Sequence, residues 1–318
     1  MTKETFANII IKSTLDFALK DESERSILHS CVPASRDIKK RVNMYRGYYG
    51  LKEHPFNVTS DPSFLYFGKT HREALSQILY GINERKGFLE ITGEVGAGKT
   101  TLCKALLSRL DESTKTAFIL NSNLSGAQLL EAIVEDFGLH PTRLTKIALM
   151  RQLNNFLLEE LRKNCNVVLI LDEAQNLSIQ NLEEIRLLSN LETDKEKLFQ
   201  IILVGQPELR RKLNSHALLQ LRQRIGVRFH VSPLERGEIG MYISHRLSVA
   251  GADLSRLSFS EDAIDIIFRY SGGVPRLINV VCDKALLTGF VLEKWTIDEC
   301  IIDKSIREIE GKPAELAV

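Results

Sequence analysis

The run Gly93-Glu94-Val95-Gly96-Ala97-Gly98-Lys99-Thr100 constrains this chain more than any other feature. It matches the pattern G-x-x-x-x-G-K-[ST] at every position. Residues 87–92 lead into it as a short apolar run that reads as a buried strand, and residues 101–107 follow it as a helix. At such a strand-to-helix turn the glycines let the backbone curl, so that successive N–H groups converge on phosphate oxygens. The positive end of the helix adds to the same field. Gly93, Glu94, Val95, Gly96, Ala97, Gly98, Lys99, Thr100 and Thr101 are therefore the phosphate-binding candidates. Lys99 is expected to reach the β- and γ-phosphates of ATP and the Thr100 hydroxyl to ligate Mg²⁺.

Composition narrows the setting. The 318 residues leave room for one large domain or two ordinary ones. Hydrophobic residues make up 44% and charged residues 26%, the balance of a soluble globular protein. A net charge of +1 gives no overall drive toward nucleic acid or anionic lipid, leaving only local basic patches. Five scattered cysteines (Cys31, Cys103, Cys165, Cys282 and Cys300) show no C-x-x-C spacing and read as reduced thiols in a cytoplasmic protein. No apolar run approaches the roughly 18–20 residues of a spanning helix. The N-terminus lacks a basic stretch followed by a long apolar one, so no secretory signal is expected.

Three parts are expected along the chain. Residues 1–43 carry a helical apolar pattern (Phe6, Ile9, Ile10, Leu15, Phe17, Leu19) and then a polar stretch. They read as an added interaction helix or as the product of a start codon assigned too early, since Met44 opens the recognisable domain. From 44 to 231, helices alternate with apolar runs at 87–92, 116–120, 167–171, 199–204 and 227–231. Near-continuous apolar strands alternating with helices predict an α/β fold with a parallel sheet covered on both faces. From Ser232 onward strands are expected to stop, and stretches near 235–250, 260–270, 276–291 and 296–309 read as the helices of a small lid domain spanning 232–318.

The remaining chemistry follows from polar residues at strand ends. Val167-Val-Leu-Ile-Leu-Asp172-Glu173 is an apolar strand closed by two carboxylates. Asp172 is expected to hold Mg²⁺ through its water shell, opposite Thr100, and Glu173 to act as the general base on the attacking water. Gln206, at the tip of the strand expected beside the P-loop strand, is the candidate to orient that water or sense the γ-phosphate. The cluster Arg222, Arg224 and Arg228 suits an arginine finger that reaches a neighbouring subunit, with Arg224 first, Arg228 second and Arg222 third. In Ser271-Gly-Gly-Val-Pro275-Arg276, Pro275 suits the first position of a helix. Arg276 then projects from the helix start, placed to fold over bound nucleotide.

These pieces in this order, with a helical lid, resemble the AAA+ ATPases. Residues 44–56, 60–66 and 71–75, together with Leu171-Asp-Glu-Ala-Gln-Asn176, Leu203-Val-Gly-Gln-Pro-Glu-Leu209 and Gly272-Gly-Val-Pro-Arg-Leu-Ile-Asn279, look like the ExeA-like (general secretion pathway A) branch. The resemblance covers roughly residues 44–309. It implies a nucleotide-switched homo-oligomer, ring or filament, with Pro55, Phe56 and His71 beside the adenine. For Pro55 and Phe56 a core-packing turn is an equal alternative. Ala97 stands where many relatives carry threonine, and Ser60 where they carry proline. Secretion ATPases of this branch often continue into a transmembrane helix and a peptidoglycan-binding domain. This chain reaches Val318 with neither, so an envelope role would require a separate membrane-protein partner at the inner membrane.

Three functions compete. One is a cytoplasmic ATPase that assembles or energises an envelope system for secretion, pili or exopolysaccharide export. The second is a regulator similar to transposition-associated AAA ATPases that polymerises with ATP on duplex DNA. It would need a basic surface, to which residues 209–212 and 36–41 are candidates. The third is a non-catalytic scaffold, disfavoured because Lys99, Asp172 and Glu173 are all present.

Overall fold

The five apolar runs form five parallel strands. In the computed structural model, which describes residues 44–57, 59, 61–120, 124–141, 143–189 and 197–312, these are β1 (Phe88–Gly93), β2 (Thr114–Ile119), β3 (Asn166–Leu171), β4 (Gln200–Gly205) and β5 (Ile225–Val231). The extension expected over residues 1–43 lies outside the described residues. The strands pair in the order β2-β3-β4-β1-β5, with Ile201 beside Phe88, Leu169 beside Ile201 and Val231 beside Gly93. Every residue of β1 and β4 is buried, which is why both read as unbroken apolar runs rather than alternating ones.

Adjacent side chains in these strands serve opposite cores. Leu169, Leu171, Ile201 and Leu203 pack under α4 (Gly126–Asp136), α5 (Lys146–Arg162) and α6 (Ile179–Leu188). Val168, Ile170, Ile202 and Val204 face the other way, toward α2 (Lys69–Asn83) and α3 (Lys99–Leu107). The inner face of α2 carries Ala74, Leu75, Ile78 and Ile82 at helical spacing, all buried. Each large apolar side chain of that stripe contributes roughly 1.5–3 kcal/mol by leaving water. Two short helices, α7 (Pro207–Leu213) and α8 (Leu219–Arg224), carry the chain from β4 to the edge strand β5.

Beyond β5 the expected helices form: α9 (Arg236–Val249), α10 (Glu261–Ser271), α11 (Pro275–Val291) and α12 (Glu299–Ile309). Ser260 caps α10 through the N–H of Ala263, and Asp298 caps α12 through that of Ile301. Two expectations are corrected here. Strands do not stop at Ser232, because β6 (Ser258–Phe259) and β7 (Thr296–Ile297) form a parallel pair that ties the start of α10 to that of α12. Two residues are too short a run to leave a hydrophobic pattern. The boundary between the two parts also differs. Helix α1 (Met44–Tyr49) opens a segment whose Tyr45, Tyr49, Leu51, Phe56 and Phe64 share one core with Ile239, Ile243, Ile278 and Ile302 of the lid helices. The Tyr49 hydroxyl donates to the carbonyl of Lys294, and the N–H of Lys52 to that of Ala250.

One glycine fixes how the lid joins the sheet. Gly273 has φ +78°, and a Cβ there would lie 2.0 Å from the backbone oxygen of Leu234, with which the turn also pairs through Leu234 N–H to Gly273 O. Backbone cannot move aside as a side-chain tip can. Gly273→Ala is therefore expected to cost upward of ~2 kcal/mol and to lower the melting midpoint by several degrees. Thermal denaturation checks this, and an unchanged midpoint would show that the turn relocates without penalty.

Candidate functional site

The phosphate-binding loop sits where the sequence places it, between β1 and α3. Gly96 and Gly98 take φ of +81° and +90°, the left-handed region that glycine enters without a Cβ penalty. Lys99 is 6% exposed, and its Nζ donates to the carbonyls of Gly93 at 2.8 Å and Glu94 at 2.9 Å. Burial pulls this ammonium below its ordinary value, while Glu173, Asp172 and Glu94 act in the other direction. Behind the loop, the ring Nε2 of His71 donates to the carbonyl of Ala97 at 3.1 Å. Burial holds that imidazole below its usual range, so it is neutral near pH 7.

The strand order brings the polar residues of three strand ends together. β4 lies between β1 and β3, so Gln206 at its tip stands between the loop and the carboxylates after β3. Thr100 Oγ1 donates to Asp172 Oδ2 at 2.5 Å, and the other oxygen of Asp172 accepts from the N–H of Glu173. Burial raises the Asp172 carboxyl above its ordinary value, offset in part by these two hydrogen bonds. Glu173 has φ +51°, a left-handed conformation that persists in a non-glycine residue only where its surroundings fix it. Those surroundings include two amides: Gln175 Nε2 donates to Glu173 Oε2 at 2.5 Å and Gln206 Nε2 donates to the same oxygen at 3.3 Å. Gln175 Oε1 in turn accepts from the N–H of Gln206. Gln175 is thus the strap between the base candidate and the tip of β4. It stands two residues beyond Glu173 in the sequence, a signal that was available and not used.

The lid closes over the loop at Arg276. The N–H of Arg276 donates to the carbonyl of Gly96, and a Cβ on Gly96 would lie 2.4 Å from that of Arg276. Together these elements enclose a solvent-open cleft of about 1030 Å³ lined by Val95, Gly96, Gly98, Lys99, Thr100, Thr101, Glu173, Gln206, Arg276 and, on the far wall, Asn57, Thr59, Asp61 and Phe64. His71 lines it as well.

Pro55 and Phe56 do not line it, so of the two alternatives left open for them the packing is that of the core turn and not that of a wall beside the adenine. Phe56 is 1% exposed within the lid-side core, its ring centroid 6.5 Å from that of Phe259. The carbonyl of Pro55 is held from behind by Arg246 Nε at 2.6 Å. The chain turns after Phe56, and Asn57 takes the place in the wall. Tyr242 and Arg246 of α9 and Asn279 of α11 also line the cleft. Tyr242 and Arg246 lie in a helix with no local motif, so no pattern announces them. Asn279 ends the stretch Gly272–Asn279 that resembles the ExeA-like branch, three residues past Arg276, where it shares that residue's helical face.

The arginine cluster lies elsewhere. Arg224 ends α8 at the start of β5, beside the start of β1, where its Nη1 donates to Ser189 Oγ at 2.9 Å. The phosphate loop leaves the other end of β1, roughly 16 Å away at a strand rise of about 3.3 Å per residue. Arg228 Nη2 donates to the carbonyl of Arg222, and its Nε lies 3.5 Å from the buried carboxylate of Glu90. None of the three lines the cleft of its own chain.

Among the described residues no cluster of three or more His, Cys, Asp or Glu is suited to a metal ion. The donors present are the paired Thr100 hydroxyl and Asp172 carboxylate. Hard oxygens in small number fit Mg²⁺, which keeps most of its waters and takes further oxygens from phosphates.

A five-stranded parallel sheet in this order, a glycine-rich loop after the fourth strand in the spatial row, acids at the tip of β3 and a helical part set on the loop make up the AAA+ P-loop NTPase fold. The AAA domain family matches residues 82–213. Two solved structures share the fold: the ORC2 protein of Aeropyrum pernix in its ADPNP-ADP complexes and Cdc6p of Pyrobaculum aerophilum. The first has a TM-score of 0.61 at 20% identity, over 81% of this chain and 72% of that one. The second has a TM-score of 0.61 at 19% identity, over 78% and 70%. Within the class, the chain is 40% identical over 269 residues to General secretion pathway protein A of Aeromonas hydrophila. That match takes in 84% of this chain and 49% of that protein, so the chain spans about half the length of the curated relative.

Proposed function

We propose that the protein is a Mg²⁺-dependent ATPase, switched between states by nucleotide as a homo-oligomer, that serves an envelope system through a membrane-protein partner. The observation that carries the ATPase reading is the convergence of Lys99, the Thr100–Asp172 pair, Glu173, Gln206 and Arg276 on one cleft. The loop N–H groups and Lys99 bind the phosphates. Thr100 and Asp172 would hold a magnesium ion, Asp172 through its water shell, and the bound ion would supply neutralisation of phosphate charge. Glu173 accepts the proton of the attacking water as its oxygen bonds to the γ-phosphorus. The bond to the β–γ bridging oxygen breaks, giving ADP and phosphate. Gln206 orients that water from the tip of β4, and Arg276 reads the γ-phosphate from the lid.

Oligomerisation is supported by the place of Arg224. An arginine at the far end of the sheet cannot serve its own cleft and suits a neighbour's, as a finger that neutralises transition-state charge. The envelope role is supported by the similarity to General secretion pathway protein A. Among the described residues no helix is long and apolar enough to cross a membrane. The basic run at 209–212 is engaged within the chain: Arg211 pairs with Glu208, Lys212 donates to the carbonyls of Gln175 and Leu177, and Arg210 lies 3.4 Å from Glu90. That weakens its candidacy as a DNA-binding surface, and residues 36–41 lie outside the described ones.

Light scattering on Glu173→Gln protein with Mg²⁺-ATP, with and without duplex DNA at two salt concentrations, tests the reading. The expected outcome is assembly with ATP alone, indifferent to DNA. Assembly that needs DNA and weakens steeply with salt would replace the envelope role by that of a DNA-bound regulator.

A further inference from the structure

The lid side of the cleft holds a polar relay that the ATPase reading does not use. Arg246 is 7% exposed, with its guanidinium carbon 5.0 Å from the ring centre of Phe64. Its Nε donates to the carbonyl of Pro55 at 2.6 Å, its Nη2 to that of Asn57 at 3.0 Å and its Nη1 to the hydroxyl of Tyr242 at 3.3 Å. The Tyr242 hydroxyl lies 2.6 Å from Asn279 Oδ1 on α11.

The direction of this relay follows from chemistry. A guanidinium only donates. Tyr242 therefore accepts from Arg246 and gives its own proton to Asn279. The atom of Asn279 that receives it must be the amide oxygen, which leaves the amide nitrogen, with two N–H groups, on the other side. That nitrogen makes no hydrogen bond among the described residues, although Asn279 is 6% exposed and lines the nucleotide cleft. Asn279 lies three residues, about 4.5 Å, along α11 from Arg276, whose N–H donates to the loop carbonyl of Gly96. The same side of the cleft is lined by Asn57, Phe64 and Tyr242 together with Asp61 and Arg246, so aromatic rings and one charge of each sign stand there, apart from the lone ammonium of the loop.

We infer that Asn279 is a nucleoside-reading residue: its amide nitrogen donates to an acceptor of the purine or ribose, and Arg246 and Tyr242 are positioning residues that hold the amide in that orientation. The inference rests on the cleft being a nucleotide site. The same relay fixes the carbonyls of Pro55 and Asn57, so the wall and the amide are set as one unit. Because Asn279 and Arg276 share a helix, engagement of the nucleoside bears directly on where Arg276 stands over the loop.

The test is competition by ATP and by inorganic tripolyphosphate against a fluorescent ATP analogue, in the unaltered protein, Asn279→Leu and Tyr242→Phe. Leucine keeps the size and neutrality of asparagine and removes the donor. Asn279→Leu is expected to weaken ATP about tenfold and to leave tripolyphosphate, which has no nucleoside, unchanged. Tyr242→Phe keeps the amide and loses its alignment, and is expected to weaken ATP by roughly threefold with the same indifference to tripolyphosphate. Equal losses for both ligands, or none for ATP, would overturn the inference. If Asn279→Leu does not fold, the same split in Tyr242→Phe decides. An unaltered protein that binds neither competitor nor analogue would remove the nucleotide reading itself, and the inference with it.

Discussion

Lys99→Ala is expected to abolish ATP binding. The ammonium is the only cation within the loop itself, and it is already desolvated, with its protons directed at the carbonyls of Gly93 and Glu94. Incoming phosphate oxygens replace weak neutral acceptors with charged ones in a buried setting, where charge-assisted hydrogen bonds are strongest. The loss is also structural, because alanine leaves two carbonyls of the loop without their donor. Together these terms put the expected loss above 100-fold, read as the disappearance of a fluorescence change on titration with an ATP analogue. Retained micromolar affinity would remove the phosphate-loop assignment.

Glu173→Gln separates binding from chemistry. Glutamine preserves shape, and its amide oxygen still accepts from Gln175, but it cannot take a proton from water at neutral pH. ATP binding is expected to persist while turnover falls by 10²–10⁴-fold, the contribution of a positioned general base. A phosphate-release assay reads the rate and the same fluorescence titration reads the affinity. Near-normal turnover would show that another residue prepares the water. The arrangement around the carboxylate sharpens the expectation. Gln175 and Gln206 both donate to one oxygen of Glu173, so its position is tied to the tip of β4, beside the P-loop strand.

The placement of the strand-end residues was legible because they stand in contiguous motifs. A continuous apolar run followed by Gly-x-x-x-x-Gly-Lys-Thr or Asp-Glu fixes both the strand and the position of its polar tip. The pairing of Thr100 with Asp172 and the placing of Gln206 needed only the strand order expected for a parallel sheet of this kind. The base end was not legible in the same way. Arg246 and Tyr242 are ordinary members of a helix until the chain brings Pro55, Asn57 and Phe64 against them from nearly two hundred positions away. The same distance hid the fact that residues 45–64 pack with the lid. For Pro55 and Phe56 a place beside the adenine and a core-packing turn stood as equals, because a sequence does not show which side of a bend meets solvent. β6 and β7 escaped notice because two residues carry no periodicity.

Among the described residues the polypeptide passes between the sheet and the lid twice. Once it runs from Phe64 in the lid core to Phe67 in the sheet core, and once from Val231 back to Leu234. The two passages are neighbours: a Cβ on Gly68 would touch Leu234, and the N–H of Lys69 is held by the carboxylate of Glu238. Two pins set side by side make a single pivot. Such a joint resists sliding and permits swing, so in the proposed switch each nucleotide state would correspond to an angle of the lid about one line. The far ends of α11 and α12 would then sweep the longest arc.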